Sequence, residues 1–338
     1  MSKPIAVLIS DIHYNIHTLP LADAAMRLAI TKANDLNVPL IVAGDLHDTK
    51  ANLRGECVNA MIETFKLLNS LDSYILRGNH DAINEKSKEH SLMFLQDIAT
   101  IVDEPGWVNV GHKNKITINL IPYQHDPEVL KSYLKTLPKE SLLIMHQGVQ
   151  TSNSGHYIQD KSALPKECFK DFRVISGHYH TRQDIKCGPP KKGAVGLFSY
   201  IGNPYTLNYA EANDPPKGFQ VLMDDGTLAF VPTNLRKHVV YEIDLSNNYH
   251  PAIVNHSIHD LIYLKVKGTR EQLENYKKPF NCRLDLIPIE AETSKNVKQE
   301  NVSQVDLYDS LIDSLTNTED KHKIRLKSIW KDFISENS

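Results

Sequence analysis

From Met1 to His180, apolar positions fall in short continuous runs separated by longer amphipathic stretches. Ile5–Ser10, Pro39–Ala43 and Tyr74–Leu76 read as buried strands, with helices expected from about Leu21 to Leu36, from about Leu53 to Ser70 and near Ser91–Ile98. Lys115–Ile121 alternates before turning apolar, Pro127–Leu137 has a helical pattern, and Leu142–Met145 and Phe172–Ile175 close the series. Alternating strands and helices predict right-handed βαβ units with helices on both faces of the sheet. Continuous strands also fit a sheet buried on both sides.

Past His180 the pattern changes. Leu197–Ile201, Gly218–Met223 and Thr227–Val231 are expected strands, the last two joined by Asp224-Asp225-Gly226, and should complete a second sheet packed on the first. Strands at Val239–Ile243, Leu261–Val266 and Arg283–Pro288 surround a helix near Arg270–Tyr276 in a smaller unit. Glu290–Asn301 is polar and linker-like. Beyond it Val305, Tyr308, Ile312 and Leu315, then Leu326, Ile329, Trp330 and Phe333, recur at helical spacing. The expected division is a main α/β domain at 1–235, a small α/β domain at 236–289, a linker at 290–302 and a helical tail at 303–338. Such a tail either folds back on its own domain or docks to a partner.

Composition narrows the function. With 41% hydrophobic and 23% charged residues, the 338-residue chain can build a packed interior, so disorder throughout is excluded. No apolar run approaches the ~18 residues of a membrane span. The opening residues resemble a signal peptide only superficially and are taken as a buried strand. Cys57, Cys168, Cys187 and Cys282 lie far apart without a CxxC pair, as expected of a reduced cytoplasmic protein. A net charge of −3 argues against a purely electrostatic nucleic-acid binder. It leaves room for a nuclease whose metals supply local positive charge. Histidine is the unusual count: 16, most of them at or before His180.

Many of those histidines belong to five polar clusters, each placed after an expected strand: Asp11-Ile12-His13, Gly44-Asp45-Leu46-His47-Asp48, Gly78-Asn79-His80-Asp81, His146 and Gly177-His178-Tyr179-His180. Each alone reads equally as a turn or a helix cap. Together, at the carboxyl ends of strands of an open sheet, they converge on one crevice. The steps from Asp11 to Asp45 and from Asp45 to Asn79 are equal in length, one βαβ unit apiece. Two Asp, four His and one Asn form a nitrogen–oxygen donor set suited to two divalent metals. Asp45 would bridge them, with Asp11, His13 and His180 completing one and Asn79, His146 and His178 the other. Metals about 3.5–4 Å apart stabilise both the attacking and the leaving oxygen of an in-line displacement at phosphorus.

The order DxH, GDxxD, GNHD, H, GHxH resembles the calcineurin-like metallophosphoesterases. The following Tyr200-Ile201-Gly202-Asn203-Pro204-Tyr205-Thr206-Leu207, Glu211 and Lys217-Gly218-Phe219 resemble the SbcD branch, the nuclease subunits of double-strand-break repair complexes. Two positions depart from the pattern: Asn203 stands where Ser is common, and Tyr14-Asn15 where many relatives have Leu-Gly. The resemblance implies two packed sheets flanked by helices, a capping domain, and a tail docking on an SMC-like ATPase of the SbcC type. It implies manganese as the metal and a 3′→5′ exonuclease and single-strand endonuclease acting on DNA. His80 would contact the scissile phosphate or protonate the leaving oxygen. Asp48 and His47 compete to accept the outer N–H of a metal-bound histidine, with His47 otherwise a solvent-facing turn residue. Asp81 is expected to cap the following segment.

Arg77, Tyr14, His17, Lys191 and Lys192 are candidate substrate contacts, against ion-pair or loop alternatives. Tyr205 and Tyr209 either stack on a base or pack in the core. Val58, Met61, Phe65, Leu92 and Leu95 are the expected homodimer contacts, and Leu311, Ile312, Leu315, Ile329, Trp330 and Phe333 the ATPase-docking face. No GxxxxGK[ST] is present, so an ATPase would act in trans. The rival functions are a stand-alone phosphodiesterase or phosphatase for small substrates and a non-catalytic scaffold.

Overall fold

The first strand is apolar at both parities because it feeds two cores. In a computed structural model of the chain, β1 (Pro4–Ile9) turns Ala6 and Leu8 toward one and Val7 and Ile9 toward the other, as successive side chains of a strand must. The structure describes residues 2–84, 89–111, 115–153, 162–189, 194–247, 257, 259–277, 279–289 and 322–328. After β1 come α1 (Leu19–Leu36), β2 (Leu40–Val42), α2 (Gly55–Phe65), β3 (Ser73–Leu76), β4 (Thr100–Val102) and β5 (Gly106–Val110). Next are β6 (Ile116–Ile121), α3 (Pro127–Leu134), β7 (Leu142–His146), β8 (Arg173–Gly177) and β9 (Gln183–Lys186). The large sheets end with β10 (Leu197–Tyr200), β11 (Gly218–Met223) and β12 (Leu228–Pro232).

These strands form two six-stranded sheets, ordered β12-β11-β1-β2-β3-β4 and β5-β6-β7-β8-β10-β9. Ala6, Leu8, Ile41 and Leu76 of the first meet Ile118, Leu120, Ile144 and Ile175 of the second. Outside the first sheet, Met26 and Ile30 of α1 and Met61 and Phe65 of α2 cover Val7, Val42 and Ile75. Outside the second, Leu130 and Leu134 of α3 cover Ile121, Leu143 and Val174. Four layers result, α/β/β/α, and the strands at the middle of the stack are buried on both faces.

Two expectations are corrected here. The second sheet is begun by β5 to β8 and, of the three late strands expected in it, takes only β10; β11 returns to the first sheet by antiparallel pairing with β1, and β12 pairs with β11. The stretch near Ser91–Ile98 holds only a 3-10 turn, Met93–Leu95. Strands β4, β5 and β9 were missed because they lie at sheet edges, where half-exposed residues weaken the apolar signal.

A third, parallel sheet, β13 (His238–Asp244), β14 (Leu261–Gly268) and β15 (Arg283–Pro288), carries α4 (Arg270–Glu274) on one face. Its own core is Ile243, Ile262, Leu264, Val266 and Leu273. Thr269 and Gln272 start α4 with a reciprocal capping box. By its contacts the chain divides into Met1–Pro288 and Ile289–Ser338. In the second unit residues 322–328 are helical. The linker at 290–302 and Leu311, Ile312, Leu315, Ile329, Trp330 and Phe333 lie outside the described residues. Among the described residues no helix is long and apolar enough to cross a membrane.

The expected dimer contacts are corrected as well. Met61, Phe65, Leu92 and Leu95 are 0% exposed within the single chain and belong to the core between α1, α2 and the first sheet. Only Val58 is partly exposed. Phe65→Ala is therefore expected to lower unfolding stability by about 3–5 kcal/mol, measured by chemical denaturation. A loss below about 1 kcal/mol would contradict the core assignment.

Candidate metal centre

Strands β1, β2 and β3 are parallel neighbours in one sheet, β7 and β8 in the other, so each sheet ends its polar clusters on one edge. Holding them there requires unusual backbone. Asp11, His13, Asp45 and His178 all have positive φ, at 52°, 50°, 51° and 93°, conformations that non-glycine residues adopt only where the surroundings enforce them. Gly44 has φ +89°, and a Cβ there would lie 2.2 Å from His146 Nδ1. The missing side chain thus makes room for a ligand candidate on the opposite sheet.

The side chains converge as two overlapping sets. His13 Nε2 stands 3.1 Å from His180 Nε2, and both group with Asp11. Asn79 Oδ1 lies 3.0 Å from His146 Nε2 and 2.9 Å from His178 Nδ1. Asp45 Oδ2 sits between the sets, 3.3 Å from His146 Nε2 and 3.8 Å from His13 Nε2, while its Oδ1 accepts the His80 N–H at 2.8 Å. Asp11 also lies within reach of Asp45 and His146, and accepts the His178 N–H.

The outer ring nitrogens decide what these contacts are. His146 Nδ1 faces the Ala43 carbonyl at 2.7 Å, which can only accept. It must donate there, turning the Nε2 lone pair toward Asn79 and Asp45. His180 Nδ1 donates to the Glu211 carboxylate at 2.8 Å, which turns its Nε2 lone pair toward His13 Nε2. His13 Nδ1 lies 3.3 Å from the Asp48 carboxylate, a charge contact without a hydrogen bond. Acceptors aimed at acceptors at 3.0–3.3 Å, as at His146 Nε2, are repulsive unless a cation lies between them. For bonds of ~2.1 Å, two ligands at right angles are separated by about 3.0 Å. The residues present fit two divalent cations.

Without metal, a proton takes part of that role. Burial favours the neutral carboxyl of Asp45, but the imidazoles of His146, His80 and His13 outweigh it and hold that carboxyl well below its ordinary range. Burial likewise opposes a charged His146, yet Asp45, and after it Asp11 and the Ala43 carbonyl, raise it to about 9.

Around the centre lies a cleft of about 430 Å³ lined by His13, Asn15, Thr18, Asp45, Asp48, Asn79, His80, His178, Tyr179, His180, Leu207 and Asn208. His80 is partly exposed there and donates Nδ1–H to the Asp48 carbonyl at 2.8 Å. Asp48 also receives the Asn15 amide at 3.0 Å.

Three residues do more than the sequence suggested. Asp81 does not cap the next segment. Its fully buried carboxylate accepts the N–H groups of Asp45, Leu46 and Gly78 at 2.8–3.0 Å, tying the loop that carries Asp45 to the one that carries Asn79. Glu211 was noted only as part of a motif. It is 4% exposed, holds His180, and accepts from Asn203 Nδ2 at 2.8 Å and the Leu207 N–H at 3.0 Å. Burial would raise its carboxyl, but His180 and Lys217 overcome that and hold it at about 2. Tyr123, unmarked in the sequence, sets its ring 5.8 Å from that of His178.

Several expected contacts move elsewhere. Arg77 is 6% exposed and donates to the Tyr123 carbonyl at 2.9 Å, so it braces the strand end instead of reaching a phosphate. Tyr14 is 1% exposed in the helix-side core, where no substrate reaches it. His47 is not solvent-facing: it is 0% exposed and bonded to Ser91 Oγ. Tyr205 is buried with its hydroxyl on the Ile12 carbonyl, which removes it from base stacking. His17 is exposed and lines a neighbouring hollow with Asn15 and Asp48. Lys191 and Lys192 lie outside the described residues.

The profile of the family described as calcineurin-like phosphoesterase matches residues 6–182, just over half of the chain and all five clusters. The chain belongs to this family. As a phosphoesterase of this kind it is a metal-dependent hydrolase of phosphoesters. No curated protein matches the sequence. Solved structures similar to the phosphoesterase include a protein of unknown function from Aquifex aeolicus, at 18% identity and TM-score 0.26, covering 43% of this chain and 81% of that one. Another is a 5′-nucleotidase precursor from Thermus thermophilus, at 11% identity and TM-score 0.38, covering 68% of this chain and 54% of that one. The phosphoesterase thus spans about half the length of the nucleotidase.

Gly44→Ala alters no metal donor, but its methyl group would displace His146. Manganese uptake, measured by atomic emission after equilibrium dialysis, is expected to fall by at least one ion per chain. Wild-type uptake by the variant would contradict the placement of His146.

Proposed function

We propose that this phosphoesterase is a manganese-dependent DNA nuclease, a 3′→5′ exonuclease and single-strand endonuclease serving double-strand-break repair and recombination. It would work in the cytoplasm with an SMC-like ATPase of the SbcC type. The observation that carries this reading is the lining of the cleft, which among the described residues contains no Lys or Arg. A phosphomonoester carries about −1.5 to −2 charges at pH 7 and is ordinarily met by charged hydrogen-bond donors beyond the metals. A phosphodiester carries a single charge, which the centre answers alone.

The rim supports a polymeric substrate over a small one. From Asn208 it continues to Tyr209, whose ring lies 5.3 Å from Tyr263 and 5.8 Å from the Arg283 guanidinium. Aromatic rings beside a cation accept unpaired bases, worth about 1–3 kcal/mol per base. A two-fold contact over α2 would use Val58, Leu67 and Met93, the last two 43% and 54% exposed.

Two divalent ions, when bound, supply Lewis acidity toward the phosphoryl oxygens and an acidified water nucleophile. The chain's own residues do the rest. Asp45, Asn79 and the four histidines fix where the phosphate sits. His80, with Nδ1 committed to Asp48, presents Nε2 to the leaving 3′ oxygen and protonates it.

The test is cleavage of end-labelled duplex and hairpin DNA with manganese, beside a bis-phosphodiester dye. His80→Ser is expected to lose about 10²–10⁴-fold in DNA cleavage while its manganese uptake stays at the wild-type level. Dye hydrolysis with no action on any DNA, even with the ATPase added, would instead support a small-substrate phosphodiesterase.

A further inference from the structure

We infer that the hollow beside the metal centre is the subsite for one nucleobase, that of the nucleoside leaving through its 3′ oxygen. The inference rests on the nuclease reading of the centre and adds which nucleoside the chain grips.

The hollow, of about 200 Å³, lies where the loop after β1 meets the loop after β2 and the start of α2, and Asn15 and Asp48 line both it and the cleft. Sites for whole small ligands ordinarily enclose about 300–1,000 Å³. This one is an extension of the cleft, sized for a single ring system. Its walls are Ile16, Leu53 and Cys57, with Ile16 37% exposed, while Tyr14 at 1% exposure closes the floor. Apolar walls with a few polar groups at the mouth suit a flat heteroaromatic base.

The hollow is built before any substrate arrives. Asn15, standing where many relatives have Gly, accepts the N–H groups of His17 and Thr18 at 2.9 and 3.1 Å, and its Nδ2 donates to Asp48 at 3.0 Å. The Tyr14 N–H on the Leu46 carbonyl and the Asp48 N–H on the Tyr14 carbonyl join the same two loops. Walls fixed in advance lower the ordering cost of binding.

His80 decides which nucleoside enters. Its Nδ1 donates to the Asp48 carbonyl at 2.8 Å, so the residue that protonates the leaving oxygen is anchored on the wall shared by cleft and hollow. As water bonds to phosphorus and gives a proton to solvent, the P–O3′ bond breaks and O3′ takes a proton from His80. The released nucleotide keeps the phosphate as a 5′-monoester, and the nucleoside that keeps O3′ lies on the Asp48 side. In digestion from a 3′ end it is the penultimate one. Its own 5′-phosphate is met by Arg54 at the rim of the hollow. The pairing of Arg54 with Glu56 is exposed on both sides and gives way readily.

The experiment uses the full chain with manganese and two single-stranded oligonucleotides labelled on the 3′-terminal nucleotide. One is intact, and the other has a tetrahydrofuran residue in place of the penultimate nucleoside. The wild type should release the terminal nucleotide from the baseless strand with a KM about tenfold or more higher. L53W, which fills the hollow without altering a metal donor or His80, should remove the difference and cut both strands with one KM. Manganese uptake and thermal denaturation check its centre and its fold. Equal KM values in the wild type, or a folded L53W that discriminates as the wild type does, would overturn the inference and leave the nuclease reading standing. Hydrolysis of the bis-phosphodiester dye with neither strand cut would overturn both. If L53W does not fold, I16A at the exposed wall decides: it should narrow the KM gap between the strands, and an unchanged gap overturns the inference.

Discussion

Lone pairs facing lone pairs are the constraint around which this molecule is organised. The Nε2 atoms of His13 and His180 stand 3.1 Å apart, with the opposite nitrogen of His180 committed to Glu211 and that of His13 3.3 Å from the Asp48 carboxylate. Asn79 Oδ1 and Asp45 Oδ2 crowd His146 Nε2 in the same manner. In a buried setting such an arrangement costs several kcal/mol in repulsion and lost hydration unless positive charge enters. Bound cations remove that cost, and the same positive charge draws a phosphoester to the cleft.

The fold supplies what this constraint needs. Parallel strands in two stacked sheets bring five loops to their carboxyl ends, and layers of helices keep both sheets dry on their outer faces. Four ligand candidates sit at positive φ, a conformation paid for by the surrounding packing. Asp81 gathers the amides of two adjacent loops, and Arg77 braces the end of β3 on the Tyr123 carbonyl. Residues that looked like substrate contacts in one dimension therefore serve to hold the donors still.

Much of this was legible beforehand, for identifiable reasons. β1, β2, β3, β7 and β8 lie inside the stack, so their continuous apolar runs stand out. The donors follow them at loop positions where packing alone would not ask for Asp, Asn or His. Legibility fell away at the sheet edges, where β4, β5 and β9 alternate weakly with solvent. It also failed for Met61, Phe65, Leu92 and Leu95, because an apolar helix face has the same pattern whether it meets a sheet or a second copy of the chain.

The sequence by itself determined the donor set, its order and the alternating α/β architecture, because hydrophobic period and residue chemistry are local properties. Only the tertiary structure decided which sheet each strand joins, since β11 pairs with β1 from the opposite end of the main domain's sequence. It also decided the roles of Glu211, Asp81 and Tyr123. Those roles depend on the direction of a side chain toward a partner distant in sequence, and no local pattern encodes that direction.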